Sequence, residues 1–163
     1  MKHIAALLTV YNRKEKTIKC LENLYAQKTP TDVSLDIYLT DDGCTDGTPE
    51  SIRANFPNVN IIQGNGKLYW NRGMWEAWQA AIKIRNYDYY LWLNDDTFTY
   101  HNMIESLLEV SKKKKDKAII IGPTIDTKGK HIHTYGGRKG KNLVPLNGQI
   151  QECDTFNGNI VLI

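Results

Sequence analysis

Two aspartates, Asp95 and Asp96, follow a run of five large apolar residues, Tyr89-Tyr90-Leu91-Trp92-Leu93, and one asparagine, Asn94. Such a run reads as a strand buried on both faces. Like charges side by side at its end repel each other and resist desolvation, so a chain keeps them where something cationic lies between or beside them. Oxygen-only ligands, few in number, at a strand's carboxyl end suit Mg²⁺ or Mn²⁺ carrying the phosphates of a substrate. A solvated acidic turn is the plainer account of one isolated pair. The other strand ends weigh against it.

A second pair, Asp41-Asp42, follows the run Val33 to Thr40, and Thr9-Val10-Tyr11-Asn12-Arg13 follows the run that starts at Ile4. A carboxylate and a hydroxyl can bind the imide N–H and carbonyl groups of a nucleotide base. Tyr11 could stack on such a base. A metal on Asp95 and Asp96 could neutralise a diphosphate, and Arg72 and Lys67 could add positive charge.

The elements that must position these groups alternate in type. Short apolar runs at 4–10, 33–40, 59–62, 88–94 and 118–121 read as strands. Between them, Ile18, Leu21, Leu24 and Tyr25 recur at helical spacing within 14–27, as do Met74, Ala77, Trp78, Ala81 and Ile82, and Ile104, Leu107, Leu108 and Ser111. Thr48-Pro49-Glu50 reads as a helix start, with Thr48 as N-cap and Pro49 at the first helical position. Strand and helix in alternation predict an α/β fold: a mostly parallel sheet with helices on both faces. Ligands bind outside the carboxyl ends of the strands in such a sheet, and all three polar clusters fall there. After residue 124, short polar strands at 131–135 and 143–146 predict a small antiparallel appendage.

Composition narrows the class. The chain has 163 residues, a formal net charge of +3 and three cysteines. That charge is too small to argue for a nucleic-acid partner. An odd cysteine count without CxxC spacing predicts free thiols in a reducing compartment. No run approaches the ~20 apolar residues of a membrane span, and the first residues lack signal-peptide architecture. These features predict a cytoplasmic protein. The apolar run Asn159-Ile160-Val161-Leu162-Ile163 at the end predicts a strand whose packing partners lie beyond it, in a longer protein, or on a second copy in a homodimer.

Four segments, LLTVYNR at 7–13, TDDGCTDGT at 40–48, GNGKLYWNRGMWEA at 64–77 and LWLNDDT at 91–97, resemble in their order an inverting glycosyltransferase of family 2 with the GT-A, Rossmann-like nucleotide-diphospho-sugar-binding fold. CDTFNGNIVLI at 153–163 resembles the family's strand before the acceptor region, and among subgroups the chain is most similar to rhamnosyltransferase-like members. The resemblance implies transfer of a sugar from a UDP- or dTDP-sugar to an acceptor hydroxyl, with Mg²⁺ or Mn²⁺. It implies that Thr9, Tyr11 and Asp42 hold the base, that Asp95 lies near the ribose, that Asp96 ligates the metal and that Arg72 runs along the diphosphate. It divides the chain into a nucleotide-sugar-binding part, 1–123, and the start of an acceptor-side region, 124–163. The acceptor would be a saccharide or lipid-linked saccharide, in polysaccharide biosynthesis, with the protein cytoplasmic or peripheral at the inner face of the membrane. Nothing in 1–163 matches the family's catalytic base, which is expected beyond Ile163; failing that, Asp126, Glu152 and Asp154 are the candidates. A non-catalytic nucleotide-sugar-binding or assembly module is the alternative.

Other motifs carry less. Phosphatase and receiver folds want their acidic pair after the first strand, whereas Asp41-Asp42 follows the second. Gly64-x-Gly66 lacks the third glycine of a dinucleotide fingerprint. His131-x-His133 reads as an exposed strand face rather than a metal site. Lys112 to Lys115 with Lys117 reads first as a solvated helix end, and second as a contact for anionic lipid. Trp78 is assigned to the core, while Trp70 and Trp75 stay open between burial and sugar stacking.

Overall fold

The computed structural model describes residues 1–125 and 134–163. Asp126, His131 and His133 lie outside the described residues. In chain order the elements are β1 (Lys2–Val10), α1 (Lys14–Tyr25), β2 (Val33–Asp41), α2 (Thr48–Asn55), β3 (Val59–Gln63), α3 (Tyr69–Ile84), β4 (Tyr89–Leu93), α4 (Met103–Lys113), β5 (Ile120–Ile121), β6 (Thr124–Ile125), β7 (Thr134–Tyr135), β8 (Gly137–Lys139), β9 (Asn142–Leu143), β10 (Thr155–Phe156) and β11 (Ile160–Leu162).

Six strands form one sheet in the order β3-β2-β1-β4-β11-β5. β1 pairs in parallel with β2 over nine residues, from Lys2↔Val33 to Val10↔Asp41, and with β4 from Ile4↔Tyr89 to Leu7↔Trp92. Helices cover both faces, which is why Ile4 to Leu8 of the central strand are fully buried without alternation. On one face Leu21 and Leu24 of α1, Ile52 of α2 and Ile104, Leu107 and Leu108 of α4 pack on Ile4, Ala6, Leu8, Leu39 and Leu91. On the other, Met74, Ala77 and Ala81 of α3 pack on Ala5, Leu7 and Tyr38, with Trp78 against the same cluster. Ile82, expected in the α3 stripe, is exposed: the buried stripe is narrower than the sequence suggests. The small antiparallel sheet β10-β8-β9 stands apart from the main one.

Two further expectations are corrected. The last apolar run is not short of partners: β11 runs antiparallel between β4 and β5, and Ile160, Val161 and Leu162 are all buried. Both of its edges are paired, so β11 itself offers no free edge to a second copy. The main sheet thus draws on both sides of the 123/124 division. Secondly, Thr48 is the first residue of α2 rather than its cap. Gly47 precedes it in the left-handed region, at φ 79°. Asp46 Oδ1 accepts from the Thr48 amide (3.1 Å) and from its hydroxyl (2.5 Å), so the aspartate takes the capping role.

Candidate functional site

The parallel register sets β1, β2 and β4 side by side, so their carboxyl ends form one rim with β1 at its centre. Strands in a sheet lie about 4.8 Å apart, which puts the two acidic pairs on the order of 10 Å apart on either side of the β1 end. The turn after β1 is zipped to the turn after β2. The Asn12 amide donates to Cys44 Sγ (3.2 Å), Asn12 Oδ1 accepts from the Thr45 amide (2.7 Å) and the Lys14 amide donates to Asp46 Oδ2 (3.0 Å). Arg13 is therefore fixed at its backbone on both sides.

Its guanidinium reaches across to the end of β4. Arg13 Nη1 donates to Asp95 Oδ1 at 3.2 Å and to Asp96 Oδ2 at 3.1 Å, one nitrogen bridging two carboxylates. Lys16 Nζ lies 3.8 Å from the same Asp96 oxygen. Thr17 Oγ1, one turn into α1, lies 3.2 Å from Asp95 Oδ2 and 3.0 Å from the Arg13 carbonyl, so its single hydrogen serves one acceptor at a time. The Asp95 side chain is 7% exposed and that of Asp96 34%. Burial pushes the Asp95 carboxyl up to about 6, and the Asp96 charge adds to this while Arg13 opposes it. The contacts found for the Asp96 carboxylate all fall on Oδ2. Its other oxygen, and its one-third exposure, suit a hard divalent ion that keeps waters and substrate oxygens in most of its shell. Among the described residues no three His, Cys, Asp or Glu side chains cluster as a full metal cage.

The pair at the end of β2 is held differently. Asp41 is buried, and its Oδ1 accepts from the Cys44 amide at 2.8 Å. Asp42 is 4% exposed, and its carboxylate accepts from the main-chain amides of Gly66 (2.9 Å), Leu68 (3.0 and 3.2 Å) and Tyr69 (2.9 Å). Leu68 and Tyr69 open α3, so Asp42 caps that helix from another strand, where a negative charge meets the positive helix end. This also holds Tyr69 at φ 55°, a left-handed conformation uncommon for such a residue.

Thr9 lies half-buried against α3, where a Cβ on Gly73 would come 2.8 Å from Thr9 Cβ, and the Thr40 hydroxyl donates to the Gly73 carbonyl at 2.7 Å. Tyr11 is 57% exposed at the rim. Arg72 is exposed in the first turn of α3. Trp70 Nε1 donates to Asn94 Oδ1 (2.8 Å), and Asn94 Nδ2 donates to Asn159 Oδ1 (2.7 Å), tying α3 and the start of β11 to the β4 end. Trp75 is exposed. The Cys20 and Cys44 thiols are pushed up to about 12, chiefly by burial, which leaves them un-ionised. A groove of about 580 Å³ between Lys114 and the 139–152 segment contains none of the strand-end residues.

The structure thus brings Thr9, Tyr11, Asp42, Asp95 and Asp96 to one rim, with Arg72 in the adjoining turn of α3. Sequence reasoning gave no role to Arg13 or Lys16. The signal was present: Arg13, Lys16 and Thr17 share one helical face just after the β1 turn.

The profile of glycosyl transferase family 2 matches residues 6–158. The chain belongs to that family. No curated protein sequence matches it. Among solved structures it is similar to S. aureus TarS, at TM-score 0.59 and 14% identity over 85% of this chain and 24% of that one. A 1–349 form of TarS in complex with UDP gives TM-score 0.54 and 17% identity over 69% and 32%. The mannosyltransferase PcManGT from Pyrobaculum calidifontis, in complex with GDP-Man and Mn²⁺, gives 0.53 and 19% over 66% and 32%. At these identities the likeness is one of fold. The chain spans about a quarter to a third of the length of these proteins.

Proposed function

We propose that this chain is the donor half of an inverting glycosyltransferase, binding a UDP- or dTDP-sugar across the ends of β1, β2 and β4 with Mg²⁺ or Mn²⁺. The observation that carries this is the Asp95-Asp96 pair in a family 2 chain: one carboxylate is buried and the other is open on one oxygen, both lie under Arg13, and Lys16 stands beside Asp96. Asp96, supported by Asp95, would hold the metal. When bound, it supplies charge neutralisation for the leaving diphosphate. Arg72 adds charge along the same path.

The base would lie over Tyr11 and against the Asp42-capped loop, with Thr9 beneath. A carboxylate has room for about four donors. Asp42 already receives three main-chain N–H groups, so an imide N–H would be the fourth. A pyrimidine imide would take that place, and the N1–H of guanine would compete for it. The solved relatives carry both uridine and guanosine nucleotides, and base choice is therefore part of the test.

The acceptor would be a saccharide or lipid-linked saccharide. We assign its general base outside the described residues, because Glu152 is 87% exposed and Asp154 Oδ2 is taken by the Gly140 amide. A positioned base contributes about 10²–10⁴-fold, so residues 1–163 alone should bind donor and transfer little.

The test is calorimetry with UDP, dTDP and GDP, each with Mn²⁺ and with chelator. The chain should bind UDP or dTDP more tightly with Mn²⁺. Asp96→Ala should lose that difference, by more than the 10–100-fold typical of losing a metal's outer hydrogen-bond partners. Unchanged metal dependence in Asp96→Ala, or a preference for GDP, would refute the assignment.

A further inference from the structure

We propose that Arg13 is an exchangeable cation of this site: it neutralises Asp95 and Asp96 until a divalent metal takes the carboxylates, and then moves its charge to the donor's diphosphate. This rests on reading the acidic pair as the nucleotide-diphosphate site. A single guanidinium nitrogen lies 3.2 Å from one carboxylate and 3.1 Å from the other, which is the position of a bridging cation. Lys16 adds a second positive charge 3.8 Å from Asp96 Oδ2. The Arg13 side chain is 49% exposed, so the guanidinium can turn without unpacking the core. Its backbone cannot follow, because Asn12 and Lys14 are tied to the turn after β2. Among the described residues, the polar contacts of the guanidinium are these two carboxylates alone.

A divalent ion on Asp96 would stand within a few Å of that guanidinium, and like charges so close repel strongly at a partly buried site. The donor's diphosphate offers the displaced guanidinium planar, bidentate oxygen partners of opposite charge. Arg13 therefore opposes the metal when no nucleotide is present and supports the nucleotide once metal is bound. A purely structural arginine would weaken both on removal.

The experiment is Mn²⁺ titration by electron paramagnetic resonance on the nucleotide-free chain, and UDP calorimetry at saturating Mn²⁺, for the native chain and Arg13→Gln. Arg13→Gln should bind Mn²⁺ about 3- to 10-fold more tightly without nucleotide. It should bind UDP at least 5-fold more weakly with Mn²⁺. Lys16→Gln should move both values the same way by less. If Arg13→Gln is unfolded by circular dichroism, Arg13→Lys replaces it; that variant should tighten Mn²⁺ and keep part of the UDP affinity. Equal or weaker Mn²⁺ binding in the folded variant, with native UDP binding still metal-dependent, overturns the exchange and leaves the site intact. Absence of Mn²⁺ binding with and without UDP in the native chain overturns both.

Discussion

Asp41-Asp42 and Asp95-Asp96 are the same dipeptide at the ends of two parallel strands, one strand apart, yet they are held by different partners. The first pair accepts from main-chain amides: Cys44 for Asp41, and Gly66, Leu68 and Tyr69 for Asp42. The second is held by side chains: Arg13, Lys16 and Thr17. A main-chain donor cannot leave without moving the fold. A side chain can rotate away and be replaced by a ligand. One pair therefore sets the shape of the rim, and the other is open to exchange. Sequence likeness between two acidic strand ends says nothing about which is which; the donor type does.

Breaking the first pair should have the largest effect on stability. Asp42→Ala leaves three part-buried amides without their acceptor and uncaps α3. Each unsatisfied group costs about 1–3 kcal/mol, so the loss should be roughly 3 kcal/mol or more in chemical denaturation, with the loop at 64–69 exchanging its amide protons faster. Asp96→Ala should change stability by about 1 kcal/mol or less, since its partners stay solvated. Similar losses in the two variants would erase the distinction drawn between the pairs.

Next in size is a pH effect confined to the second pair. Burial raises the Asp95 carboxyl from 3.8 to about 6 in the folded chain. A raised acid binds its proton more tightly when folded, so its contribution to stability is full below about 4 and is lost as pH rises through about 6. A shift of about two units corresponds to roughly 3 kcal/mol. Urea titrations from pH 4 to 7 should show the native chain losing up to that much more stability than Asp95→Asn over the same range. Parallel curves would mean that Arg13 offsets the burial in full.

How much of this was legible in the sequence follows from which interactions are local. Apolar runs and helical spacing gave the strands and helices, and residues Ile104, Leu107, Leu108 and Ser111 of α4 are buried as their spacing predicts. The family segments lie on these elements. That something cationic lies beside Asp95-Asp96 was also legible, from the repulsion alone. That it is Arg13 was not, because it requires knowing that β1 lies next to β4. The cap that Asp42 places on α3 spans 24–27 residues, and no local pattern marks it. The final strand is hidden for the same reason: Ile160–Leu162 reads as unpartnered until its insertion between β4 and β5 is seen.

Between the two pairs, a third way of holding a strand end gives the smallest test. Asn94 directly precedes Asp95, and its amide side chain joins Trp70 on one side and Asn159 on the other. These are neutral side-chain contacts, and they stand beside one main-chain bond, from the Asn94 amide to the Asn159 carbonyl at 3.1 Å. The ring of Trp70 also packs edge-on to Trp92 at 6.0 Å, and a Cβ on Gly158 would come 2.7 Å from it. Trp70→Phe removes the indole N–H but keeps an aromatic ring against Trp92 and Gly158. One neutral hydrogen bond at a part-exposed site is worth about 0.5–1.5 kcal/mol, and the loss should stay in that range by thermal or urea unfolding. Metal dependence of nucleotide binding should be unchanged, since Asp95 and Asp96 keep their own partners. A larger loss would show that Trp70 holds β11 in the sheet through Asn94 and Asn159. A changed metal dependence would show that the strand end moves as one unit, and that the exchangeable pair is not independent of the residue before it.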